Sequence, residues 1–152
     1  MEIKTFADLI EWTRQLHEYL ARCLKESATL HKNERASALL DYISTHETLL
    51  EKAVAEYERQ ADPKAMQTRL YDYGVHKPIE KNRMCDLRYN DMSFDDIAKE
   101  IFDFHDQVME LYDGLIGKAE IREAKELLED LKSLEEHEAM RMAGQIGRMS
   151  DL

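Results

Sequence analysis

The chain has 152 residues, a net charge of −11 and 35% charged residues, with only 5 Gly and 2 Pro. This length supports one domain with a substantial core, and the shortage of helix breakers beside abundant Leu, Glu, Ala and Lys points to an all-α fold. The acidity argues against nucleic acid or an anionic membrane as the main partner.

No apolar run reaches the length of a transmembrane helix, and the first residues lack a signal-peptide core. Cys23 and Cys85 form no CxxC pair. They are expected as reduced thiols in a cytoplasmic protein.

The first helix is expected over about 5–30, opened by Thr5 with Asp8 three residues on. Its apolar stripe is Phe6, Leu9, Ile10, Thr13, Leu16, Leu20, Leu24 and Ala28. A short turn follows, in which Asn33 can cap a second helix over 34–60. Leu39, Ile43, His46, Leu50, Ala53 and Tyr57 give that helix its stripe. A turn this short makes the two helices antiparallel neighbours.

The connector, 61–92, carries Pro63, Gly74 and Pro78 with several basic residues, and a short helix is expected from Lys64 to Tyr73. It is long enough to return across a bundle. A third helix is expected over 93–117. Ser93 and Asp96 cap it, Met92 packs on Ile97, and Ile97, Ile101, Phe104, Val108, Leu111, Tyr112 and Leu115 form its stripe. A fourth is expected over 121–149, with Leu127, Leu131, Leu134 and Glu138 central to its stripe. Short loop, long crossover, short loop predicts an up-down-down-up four-helix bundle.

Four His–acid dipeptides punctuate these helices: His17-Glu18, His46-Glu47, His105-Asp106 and His137-Glu138. The first and third lie 88 positions apart and the other two 91 apart, as in a duplicated hairpin. At about 100° per residue, His17, His46, His105 and Glu138 face inward, with Glu47 and His137 at the rim. His17 and His46 share a level, being equally far from the first turn. Glu138 is level with His105 only if the second turn lies near Ile121. If the third helix ends at Gly117, Glu129, Asp130 or Glu135 comes closer.

Three histidines and a carboxylate converging in a core, with Glu47 or His137 as further candidate ligands, can bind a divalent metal such as Fe, Mn or Zn. The other reading is a polar layer that fixes helix register in a non-catalytic bundle, serving oligomerisation or a protein partner. His31 and His76 are expected at the surface. Trp12 and Tyr19 share one side of the first helix, a candidate seam for a homodimer. No nucleophile–base–acid set is recognisable.

A duplicated hairpin, a long crossover and metal-type residues at mid-helix resemble the ferritin-like superfamily, especially its small rubrerythrin-like members. The resemblance spans nearly the whole chain. It implies a helical bundle with a carboxylate-bridged di-iron site, in which the first and third helices each give a Glu and the others each a Glu-x-x-His. Here those positions look like His17, His105, His46-Glu47 and His137-Glu138, and Glu-x-x-His is absent. Ile43 precedes His46 by three, Leu134 precedes His137 by three, and Leu50 follows Glu47 by three. The resemblance therefore implies a metal site with other ligands, with oxidoreductase chemistry as an open possibility. A hemerythrin-like reading lacks its His-x-x-x-His spacing. A phosphotransfer bundle would need an exposed His.

Overall fold

A computed structural model describes residues 3–69, 88–119 and 122–151, with Lys118 by its backbone alone. The helices are α1 Phe6–Leu30, α2 Glu34–Gln60, the single turn α3 Pro63–Met66, α4 Phe94–Lys118 and α5 Arg122–Ser150. A 3₁₀ turn, Tyr89–Asp91, precedes α4. The four long helices match the expected spans to within about a residue. The short helix expected at Lys64 to Tyr73 ends at Met66, since residues 67–69 are not helical; residues 70–73, His76 and Cys85 lie outside the described residues.

The ends form where the caps predict. Thr5 Oγ1 accepts from Asp8 N–H at 3.3 Å while the Asp8 carboxylate takes the backbone N–H of Thr5, a complete capping box. Asn33 Oδ1 accepts from Ala36 N–H, and Ser93 Oγ accepts from Asp96 N–H. Pro63 opens α3, where its missing N–H costs nothing.

Contacts at the ends fix the direction of every helix. The backbone N–H of Phe6 donates to Thr68 O, so the chain beyond α2 lies at the start of α1. His31, in the turn after α1, places Nε2 2.7 Å from Met92 O, just before α4. Arg35, in the first turn of α2, stacks on Phe94 at 4.6 Å and donates to Ser150 O at the end of α5. So α2 and α4 both start at the end where α1 and α5 finish, which is an up-down-down-up bundle. The described ends of the connector, Arg69 and Arg88, lie at opposite ends of it.

The core is one cluster running the length of the bundle, from Phe6, Leu9 and Leu16 on α1 to Leu128, Leu131 and Met142 on α5. No described helix is long and apolar enough to cross a membrane. Three expectations change. Trp12 is buried in this core and cannot form a dimer seam. His31 is half-buried and clips α4 to the first turn, because its ring bonds backbone on both sides. Cys23 is disulfide-bonded, so the thiol argument for a reducing compartment falls away.

Candidate functional site

Four ionisable side chains meet at the middle of the bundle, one from each long helix: His17 on α1, Glu47 on α2, His105 on α4 and Glu135 on α5. All four are buried, with at most 1% of the residue exposed. Each sits within about a residue of its helix midpoint, so the four share a level whichever way each helix runs.

Their contacts alternate around a ring. Glu47 places Oε2 2.5 Å from His17 Nδ1 and Oε1 2.7 Å from His105 Nε2. Glu135 places Oε1 2.6 Å from His17 Nε2 and Oε2 3.6 Å from His105 Nδ1. Every carboxylate thus faces both imidazoles. Three sides of the ring are hydrogen-bonded, and the long fourth side leaves His105 Nδ1 and Glu135 Oε2 without a partner.

The charges follow from the geometry. Burial alone would push both histidines toward the neutral form, but two carboxylates against each ring outweigh it. They raise His17 to about 10 and His105 to about 9. Burial likewise penalises the carboxylates, and the histidines overcome it, lowering Glu135 to about 2 and Glu47 further still. At neutral pH the ring holds two imidazolium and two carboxylate groups and is neutral as a whole. Phe104 meets the His17 ring edge-on at 6.0 Å and closes one side. One turn along the bundle, Tyr112 O–H donates to Thr13 Oγ1 at 3.2 Å, and Thr13 O–H donates to Leu9 O.

A third His–Glu pair lies outside the ring. His46 on α2 is 6% exposed, and its Nε2 stands 3.2 Å from Glu138 Oε2 on α5. The two are not aligned for a hydrogen bond, and Nε2 has no partner. Burial lowers the His46 pKa more than Glu47 and Glu138 raise it, so this imidazole is neutral. Arg141 holds the other oxygen of Glu138 at 3.4 Å.

Of the residues singled out from sequence, His17, His105 and Glu47 come together in the ring. Glu47 is central where a rim position was expected. His46 and Glu138 form the separate outer pair, so Glu138 is not the carboxylate level with His105. His137 is exposed and belongs to neither group. Glu135 takes the place expected for Glu138. Helix α4 ends at Lys118 and α5 begins at Arg122, which sets Glu135, and not a residue one turn later, opposite His105.

The phase error has one cause. Ala53, Tyr57 and Leu134, apolar residues at the edges of their stripes, drew the expected centres of α2 and α5 aside. The buried positions are Ala36, Leu39, Leu40, Ile43, Ser44, His46, Glu47, Leu50 and Val54 on α2 and Ala124, Leu127, Leu128, Leu131, Glu135, Met142 and Ile146 on α5. In each case a glutamate occupies the centre. One signal in the sequence does find it: Glu135 lies 88 positions after Glu47, the same offset as His105 after His17.

Among the described residues, no three or more His, Cys, Asp or Glu side chains are spread as a metal cage. The ring's nitrogens and oxygens face each other at hydrogen-bond distance instead. Leu50 follows Glu47 by three and Glu138 follows Glu135 by three, so the histidine of each Glu-x-x-His is missing from both helices.

No protein-family model matches the chain, and no curated protein matches it. A crystal structure of a candidate ferritin-like diiron-carboxylate protein from Thermotoga maritima is similar to it, with a TM-score of 0.61 and 11% identity. The similarity covers 96% of this chain and 97% of that one. Joined to the up-down-down-up order of the helices, this likeness shows that the chain has the ferritin-like bundle fold.

Proposed function

We propose that the chain is a metal-binding ferritin-like bundle, and that His17, Glu47, His105 and Glu135 hold one or two divalent ions in its core. One observation carries this reading: each glutamate presents an oxygen to both histidines, from four different helices, at a level sealed from water. Carboxylates so placed can span two cations or close around one. Imidazole with carboxylate suits Fe, Mn or Zn. His105 Nδ1 and Glu135 Oε2, which have no hydrogen-bond partner, are free to turn to a cation. Four buried ionisable groups are also a costly way to build a core layer, since apolar residues of similar volume often serve stability as well or better. The description of the Thermotoga maritima protein as a diiron-carboxylate protein supports the same reading.

Hydrogen-bonded at 2.5–2.7 Å, the ring is closed on its protons. Donors around one cation stand about 3 Å apart or more. Metal binding there would therefore need the ring to spread and its imidazoles to give up protons. Iron or manganese held there would supply redox chemistry, and zinc would not; oxidoreductase activity is the finer form of the proposal. The chain's own part is to exclude water with Phe104 and the leucine layers, and to orient both carboxylates toward the site.

The closed ring favours one rival: a layer that only fixes helix register, in a bundle used for oligomerisation or a protein partner. Elemental analysis of untagged protein before and after chelator separates the two. About one or two equivalents of Fe, Mn or Zn are expected, lost together with thermal stability. Glu47→Gln and Glu135→Gln should each lower the metal content. Protein that carries no metal and takes none up on reconstitution would leave the register layer as the function of the ring.

A further inference from the structure

We propose that His46 and Glu138 form an outer cation site at the seam between α2 and α5, through which a divalent ion passes to the buried ring. This rests on the metal-binding reading above. The ring is sealed, so an ion needs an approach lined with ligands. Thr13 and Tyr112, which border the ring at the seam between α1 and α4, offer only hydroxyls already bonded to one another. His46 and Glu138 offer an imidazole nitrogen and a carboxylate oxygen 3.2 Å apart, the nitrogen unpartnered.

Their positions form a path. The Glu138 side chain is 17% exposed and reaches solvent, His46 is 7% exposed, and Glu47 is fully buried. Ligands of rising burial thus run inward, and His46 is the chain neighbour of the ring carboxylate Glu47. Arg141 holds the second oxygen of Glu138 from an exposed position, where a cation can displace it. The internal repeat sharpens the point. At the 88-residue offset, His46 corresponds to Leu134 and Glu138 to Leu50. The same seam therefore carries a polar pair on one side of the ring and leucines at the equivalent positions on the other. Passage inward is ligand exchange alone: a bond from the ion to the outer pair breaks as one to Glu47 forms, and no electron changes hands.

The test is stopped-flow uptake of Co(II) by the full, chelator-treated chain, followed by the visible absorption of the bound ion. Glu138→Gln, which removes a charge that draws the ion in, and His46→Gln, which removes a nitrogen ligand from the approach, should each slow uptake about tenfold or more. Both should reach the wild-type stoichiometry and final spectrum. Glu47→Gln should fail to reach that spectrum at any time, and circular dichroism should show every variant folded. Uptake at the wild-type rate in both outer variants would overturn the proposal. A lower final stoichiometry would overturn it too, by making the pair permanent ligands. Wild-type protein that takes up no Co(II) would remove the metal-binding reading and this one together.

Discussion

The two hairpins, α1–α2 and α4–α5, contribute the same pair in the same order: a histidine at the middle of the first helix and a glutamate at the middle of the second. At positions related by 88 residues they agree where the ring forms and disagree immediately around it. His46 and Glu138 stand opposite Leu134 and Leu50 in the repeat, and Thr13 and Tyr112 opposite Ile101 and Leu24. The repeated positions carry the charges that must balance in a sealed core. The unrepeated ones give each side of the ring its own character, one side polar toward solvent and the other closed by leucine. Symmetry therefore marks the ring, and its breaking marks the surroundings that differ in access and hydrogen bonding.

Removing one repeated member should do the most damage. Glu135→Ala leaves the His17 and His105 imidazoles with one carboxylate between them, at a buried level where charge cannot be shed to water. A loss of about 3–5 kcal/mol is expected, or failure to fold. Glu138→Ala, three residues along the same helix, removes a partner from a neutral imidazole and an exposed arginine. It should cost about 1 kcal/mol or less. Urea unfolding in the presence of chelator measures both. Equal losses would dissolve the distinction between ring and outer pair.

The ring also sets a pH window. His17 and His105 are raised from an ordinary value near 6.5 to about 10 and 9. Their contribution is complete below 6.5 and is lost as pH rises through those values. The glutamates are lowered from near 4.5, Glu135 to about 2. Their contribution is complete above 4.5 and is lost as pH falls toward 2. Stability of the chelated protein should therefore be greatest between about pH 4.5 and 6.5 and decline on both sides. Melting temperature against pH should show this dome, and Glu135→Gln should flatten its alkaline limb.

Much of this was legible in the sequence. Caps at Thr5, Asn33 and Ser93 placed three helix starts, because a side-chain acceptor meets the same backbone donors in almost any context. Loop lengths gave the topology. His17 and His105 could be placed because apolar residues surround them on both sides. Periodicity puts Glu47 at the rim and leaves Glu135 as only one of three alternatives to Glu138, because apolar residues at the stripe edges (Ala53, Tyr57 and Leu134) shift the centre it assigns. What reverses the assignment is a partner on another helix, and hydrophobic periodicity contains no information about partners. The constant 88-residue offset does contain some, since two hairpins that form one ring must supply equivalent positions. The expectation for His31 failed for a similar reason: its role depends on Met92, which lies 61 positions away.

A smaller effect tests the unrepeated polar contact. Tyr112→Phe removes the hydroxyl that donates to Thr13 Oγ1 and leaves Thr13 bonded to Leu9 O. A loss of about 1 kcal/mol in urea unfolding is expected, with the pH dome unchanged because no ring charge is touched. A shifted dome would make Tyr112 part of the ring's proton balance.

The smallest effect separates two histidines that the sequence presents alike. His105 and His137 both precede an acid on an apolar-periodic helix, and His137 lies only two residues from Glu135. Two residues on a helix is about 200° of turn, which carries the imidazole to the outer face. His137 is exposed there, whereas His105 is 1% exposed. His137→Gln should change stability by no more than about 0.5 kcal/mol and leave metal content and Co(II) uptake unaltered. His105→Gln, the same change of atoms, should remove one of the two positive charges that balance Glu47 and Glu135. It should lower both metal content and melting temperature. If His137→Gln behaved like His105→Gln, α5 would have to sit rotated by about half a turn, and Glu135 would lose its place between the two histidines.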